Sequence, residues 1–277
     1  MEPVLEGFKM LPAPMMYMAI GIIAFAVIAI VFQLVRGGKK TAKIIKGEKY
    51  RKNPKGSMLT QEQQTALCVG AVNGEQTMYY IDSLETGDSI GEVAQNLSKY
   101  YGIGRGMGME SADRVLSGML ERGHRYYYDA MKEAFANSEK NAWMQFAKEQ
   151  FKKEELERCI SFMNNLEDCL PLLIEKGYLK DRRDLLTTSI VAWDMGRLVN
   201  ITRGCLECKY IKEQDAWQFI SEALNKSRSS YKTWAEFAAG YVIGRAMWGG
   251  HNLSLNGIMD IVQGLLQDGN SPWRKEL

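Results

Sequence analysis

With 277 residues, 46% of them hydrophobic and 25% charged, the chain can bury a sizeable core, which excludes a disordered or fibrous protein. Lys and Arg number 35 against 33 Asp and Glu, a balance that gives no reason to expect nucleic acid as a partner. Five cysteines, an odd number scattered over a long chain, exclude a secreted disulfide framework.

The charge is unevenly distributed along the chain. Residues 1–14 form a short tail with a net charge of −1, and residues 15–35 read MMYMAIGIIAFAVIAIVFQLV, with Gln33 as their only strongly polar side chain. A helix of that length covers roughly 30 Å, the hydrocarbon thickness of a bilayer. Residues 36–56 follow with nine basic side chains against Glu48, a net of +8. Basic residues that follow an apolar run, rather than precede it, favour an uncleaved anchor over a signal peptide. Positive charge stays on the cytoplasmic side, so the expected topology is single-pass, with the N-terminus outside and the rest in the cytosol. The bilayer is thus one expected partner, met through residues 15–35, and residues 36–56 are a juxtamembrane linker.

Residues 57–277 carry a net charge of −5 and read as a single all-α domain, preceded by the one transmembrane helix. Thr60 and Gln63 have capping-box spacing and open a helix reaching about residue 72. Thr77 to Ile81 (TMYYI) is the one candidate for extended structure. Helices are then expected over 86–100, from Ser111 to 120, and over 126–136, 138–152 and 154–176. Pro171 should bend or divide the last of these. Four more follow, over 185–203, 213–228, 231–248 and 254–267. The alternating glycines 102, 104, 106 and 108 fit no phosphate-binding fingerprint and read as a surface loop.

No catalytic, metal or cofactor signature stands out. Cys205 and Cys208 have CxxC spacing, but a zinc site would want a second pair or spaced histidines, and the chain has only His124 and His251. The densest chemistry lies between residues 193 and 248: Trp193, Asp194, Arg197, Arg203, Tyr241, Arg245 and Trp248. On the last long helix Tyr231, Trp234, Ala238, Tyr241, Arg245 and Trp248 step by three or four and share one face. Trp193 and Arg197 are a turn apart and suited to stacking. Gly196 and Gly244 each precede an arginine and would let two helices approach closely.

Three readings of this group are open. It is a buried ion-pair knot in which Asp194 satisfies Arg245, Arg197 or both, the reading the residue types favour. Alternatively, Arg197, Arg203 and Arg245 line a cleft for an anionic ligand or an acidic partner. Least favoured is a catalytic centre, because a carboxylate among arginines is a poor base near neutrality.

The WDxGR stretch at 193–197, the Trp217 helix and YxxWxxFxxxYxxGRxxW at 231–248 resemble a bacterial family catalogued as domain of unknown function 1266. Tyr101-Gly102-Ile103, the helix from Ser111 and Gly123-His124-Arg125 are similar to its N-terminal portion, so the resemblance covers about residues 58–250. It implies an all-α domain and supplies no activity. The expected function is therefore a membrane-anchored, cytosolic helical interaction module with an unidentified protein partner. The alternative is an enzyme or binder that uses the arginines on an anionic small molecule.

Overall fold

The computed structural model describes residues 49–277 apart from Ser57 and Arg105. The expected tail, membrane helix and most of the basic linker lie outside the described residues. Among the described residues no helix is long and apolar enough to cross a membrane.

The described chain is helical with no strand: α1 (Gln61–Cys68), α2 (Ala71–Thr77), α3 (Ile90–Tyr101), α4 (Gly108–Glu121), α5 (Arg125–Asn137), α6 (Lys140–Gln150), α7 (Glu154–Glu175), α8 (Val191–Glu207), α9 (Glu213–Ser230), α10 (Trp234–Gly249) and α11 (Leu253–Gln267). Short 3-10 turns, Arg182–Leu186 and Pro272–Arg274, precede α8 and close the chain. The compact unit runs from Tyr50 to Leu277, so the end of the expected linker packs onto the domain. There the Arg51 guanidinium donates to the Met78 and Gly87 carbonyls.

The helix α8 is the hub, packing against α2, α3, α4, α9 and α10. It is buried on nearly every side, from Ala192 and Trp193 through Leu198, Val199 and Ile201 to Cys205. Each large apolar side chain so buried contributes about 1.5–3 kcal/mol. The approach of α8 to α10 depends on reciprocal glycines, as the sequence suggests. A Cβ on Gly244 would stand 2.4 Å from Trp193 Cβ, and one on Gly196 would stand 2.8 Å from the Tyr241 ring. Neither helix could sit so close with any other residue at these points.

Several element boundaries differ from expectation for local reasons. The Thr60–Gln63 capping box forms, but the helix breaks after Cys68, where a Cβ on Gly70 would stand 2.8 Å from Val199. Thr77 ends α2, and Met78 closes it in the left-handed region, so TMYYI becomes a helix end and a loop rather than a strand. The helix expected from Ser111 starts at Gly108, and the Ser111 hydroxyl bonds back to the Met107 carbonyl instead of capping. Pro171 neither divides nor ends α7. It lies one turn from the C-terminus, where it forfeits one backbone bond while Leu166, Cys169, Leu170 and Leu173 keep the apolar face buried. The segment 185–190 holds the end of a 3-10 turn followed by irregular backbone, and α8 begins at Val191. The last long helix begins at Trp234 behind a Thr233 cap. Tyr231 precedes it in extended backbone, donating its hydroxyl proton to the Ser189 carbonyl and accepting from the Ala192 N–H.

Candidate functional site

The site grows from the first turn of α8. Asp194 is fully buried, yet none of its ion partners is Arg197, Arg203 or Arg245. Its Oδ1 accepts the backbone N–H of His124 at 2.9 Å and faces His124 Nδ1 at 3.0 Å. Oδ2 accepts the backbone N–H of Arg125 at 3.1 Å and an Arg125 Nη1 bond at 3.4 Å. The carboxylate therefore sits at the positive end of α5 as well as in the first turn of its own helix, where peptide dipoles favour a negative charge. Arg125 completes the turn by donating to the Met119 and Leu120 carbonyls at the C-terminal end of α4, where the dipole favours a cation.

Gly123 makes this possible. Its φ is +57°, and a Cβ there would lie 2.2 Å from Asp194 Oδ2. Only glycine lets the chain wrap the carboxylate so tightly. The outer side of this turn faces an open depression of about 420 Å³ lined by Arg114, Arg122, His124, Glu154, Glu155 and Arg158. Arg122 is committed there to Glu155 at 2.7 Å and to the face of Tyr126.

One turn further along α8, Arg197 is half-buried and ringed by aromatic side chains. Its guanidinium lies 4.8 Å from the Trp193 ring centroid, 5.6 Å from Tyr101 and 5.8 Å from Trp248, and Nη1 is 3.2 Å from His124 Nδ1. No carboxylate among the described residues pairs with it. The rings are themselves in contact, Trp193 meeting Tyr241 edge-on at 5.3 Å and Trp248 at 5.7 Å. Trp248 remains 44% exposed, so this aromatic cluster opens to solvent. Below it, burial pushes the Tyr241 phenol up, and its hydroxyl donates to Asn73 Oδ1 at 2.9 Å. The Trp193 indole N–H is buried without a partner among the described residues.

Arg245 and Arg203 belong elsewhere. Arg245 is buried under Trp248, 5.3 Å from its ring centroid, with one bond from Nη2 to Asn252 Oδ1 at 3.0 Å. Its Nη1 has no partner among the described residues, and burial pulls its pKa down. Arg203 is fully enclosed and donates to the Tyr80 and Glu85 carbonyls and to Asn200 Oδ1. Burial pulls its pKa down to about 10. It is a strap for the 80–86 loop rather than part of the aromatic surface.

Residues 96–276 match the family model described as protein of unknown function, DUF1266. The chain belongs to the DUF1266 family. No curated protein and no solved structure matches it. The DUF1266 region begins inside α3 and runs on through α11, later at both ends than the span expected from the motifs. It contains the whole Asp194 turn and the Arg197 cluster. Arg203 and Tyr241, by contrast, reach out of it to hold the loop at 80–86 and Asn73, so they fasten α2 and that loop to the family domain.

Of the seven residues singled out by spacing, Trp193, Arg197, Tyr241 and Trp248 come together, Arg245 lies beneath their edge, and Asp194 and Arg203 take other partners. Reading the sequence by helix face missed Tyr101, His124 and Arg125. The available signal was Gly123-His124-Arg125 itself, a glycine stop followed by two nitrogen-rich side chains. Of the CxxC pair, Cys205 is buried with its thiol pushed up to about 12, and Cys208 Sγ faces the Ile90 carbonyl at 3.9 Å.

Proposed function

We propose that the chain is a single-pass membrane protein whose helical domain is a cytosolic binding module, docking an acidic group of a protein partner on Arg197. The observation that carries this reading is a half-buried guanidinium set among Tyr101, Trp193 and Trp248 with no carboxylate partner among the described residues. Arg, Trp and Tyr are the residues in which binding energy concentrates, because rigid rings shield a charged contact from water. The anchor rests on residues 15–35 and the cytosolic placement on the +8 flank. At the inner face of a bacterial membrane, the partner would be met within linker reach of the headgroups.

Affinity capture from solubilised membranes tests the reading. Wild-type protein should retain a defined partner that folded Arg197→Gln and Trp248→Ala variants lose. Equal recovery by wild type and variants, or no partner across several mild detergents, would overturn it.

The His124–Asp194 contact supports a second reading, an enzyme acting on an anionic small molecule. A buried carboxylate on Nδ1 orients an imidazole that lines the depression beside Arg114 and Arg158. This reading requires turnover of a phosphorylated or carboxylated compound that His124→Gln abolishes while leaving partner capture intact.

A further inference from the structure

A cavity of about 390 Å³ lies where the end of the linker meets the C-terminal segment, and Lys52, Arg274 and Lys275 line it. Among the described residues, Asp82 is the one carboxylate in its wall. We propose that this cavity binds a phosphate group, supplied by the headgroup of an anionic phospholipid. The source rests on the membrane reading proposed for residues 15–35, whereas the phosphate chemistry rests on the cavity itself.

The charge carries the argument. Lys52 and the Arg274–Lys275 pair come from the two ends of the described chain, and none of the three makes an ion pair among the described residues. Three cations less one acid leave the wall with a net charge of +2. Asp82 is partly spent besides, since its Oδ1 accepts the Asn53 N–H at 2.8 Å. A cleft lined by one sign of charge focuses its field on an ion of the opposite sign. Like charges gathered without counter-charges repel one another, and a bound anion removes that repulsion.

The cations stand on fixed backbone. Trp273 is buried, stacks on Trp234 at 4.9 Å and donates its indole N–H to the Cys68 carbonyl at 2.9 Å, and Arg274 and Lys275 follow it directly. Arg274 donates from Nε to the Asp268 carbonyl at 2.9 Å and from Nη2 to that of Gln267, which leaves Nη1 unbonded among the described residues. Lys275 Nζ donates to Gln64 Oε1 at 2.9 Å and keeps two further N–H donors. Across the cavity, the Arg51 carbonyl and the Asn53 N–H are bonded to the loop at 81–82, with Lys52 between them. Such a set of charged donors, an arginine fork with two lysines, suits the several oxygens of a phosphate. Ile81 and Pro272 offer the glycerol carbons an apolar wall. Lys52 is seventeen residues beyond Val35, at most about 60 Å of extended chain, which keeps the cavity within reach of the headgroups.

The full chain, solubilised in a maltoside detergent and labelled with ¹⁵N-tryptophan, is titrated with dihexanoyl phosphatidylglycerol, with dihexanoyl phosphatidylcholine, with glycerol phosphate, and with sodium chloride at matched ionic strength. The Trp273 indole signal, bonded to Cys68 in the cavity wall, should move saturably with phosphatidylglycerol and not with phosphatidylcholine or chloride. Lys52→Gln/Lys275→Gln should weaken that binding at least about tenfold. Both lysines are exposed, so the fold should hold, and unchanged thermal unfolding checks it. Lys39→Gln/Lys40→Gln, the same charge change made in the linker, should leave the affinity within about twofold. An equal loss in the two variants would assign the binding to general charge and overturn the pocket. No shift, or shifts that chloride or phosphatidylcholine reproduces, would overturn it as well. A response to glycerol phosphate with none to the lipid overturns the headgroup as the source. Washing membranes with alkaline carbonate separates this inference from the reading beneath it. A chain that stays in the membrane but binds no phosphatidylglycerol refutes the pocket alone, and a chain that is released but still binds refutes the anchor alone.

Discussion

Asp194 and Arg245 are buried charges on two helices in contact, and their surroundings differ completely. Asp194 is met by two backbone N–H groups, an imidazole and a guanidinium, so its oxygens are satisfied from the N-terminus of α5. Among the described residues Arg245 makes one bond, to Asn252, and its Nη1, beside Gly249, has no acceptor. Fixed peptide dipoles that must be buried anyway can stabilise a buried charge better than an opposite charge on a mobile side chain. The α4–α5 turn is built around its carboxylate, whereas the α10 C-terminus accommodates its guanidinium.

The largest effect should come from removing the satisfied charge. Asp194→Ala leaves Arg125 without its counter-charge and two N–H groups without acceptors, and should cost about 3–5 kcal/mol by chemical denaturation. A loss below about 1 kcal/mol would mean that the turn is not held by the carboxylate. Gly123→Ala should come next, at about 2 kcal/mol, since it adds left-handed strain to a contact that has no room for a methyl group. Its destabilisation should shrink in the Asp194→Ala background, a coupling that a double-mutant cycle reads directly. Arg245→Met should be the mildest, within about 1.5 kcal/mol of wild type or stabilising, because an apolar chain of similar length fills the space with no charge to satisfy. If Arg245→Met proved as costly as Asp194→Ala, the contrast between the two sites would collapse.

Features set by neighbours in sequence were legible. Thr60 and Gln63 form their capping box because cap and partner lie within one turn. The Trp193–Arg197 stack follows from four-residue spacing, and the close approach at Gly196 and Gly244 from the absence of a Cβ. The partner of Asp194 was not legible. Its ligands lie about seventy residues upstream, and two of them are backbone N–H groups, which every residue but proline carries. The start of α10 was hidden for a related reason. Tyr231 continues the helical spacing, but its hydroxyl is claimed by Ser189 and Ala192, which holds it outside the helix. Pro171 misled in the opposite direction, since its lost bond is small beside the apolar face that carries α7 past it.

The sequence by itself determined the all-helical class, the apolar run at 15–35 with its basic flank, and the residues that make α8 and α10 fit together. These depend on periodicity and side-chain volume, which are local quantities. Tertiary structure alone decided which charges meet. It sent Asp194 to the α5 N-terminus, Arg203 to the 80–86 loop and Arg197 into the aromatic ring at the surface. Pairing depends on distances in space and on backbone groups that side-chain identity does not encode.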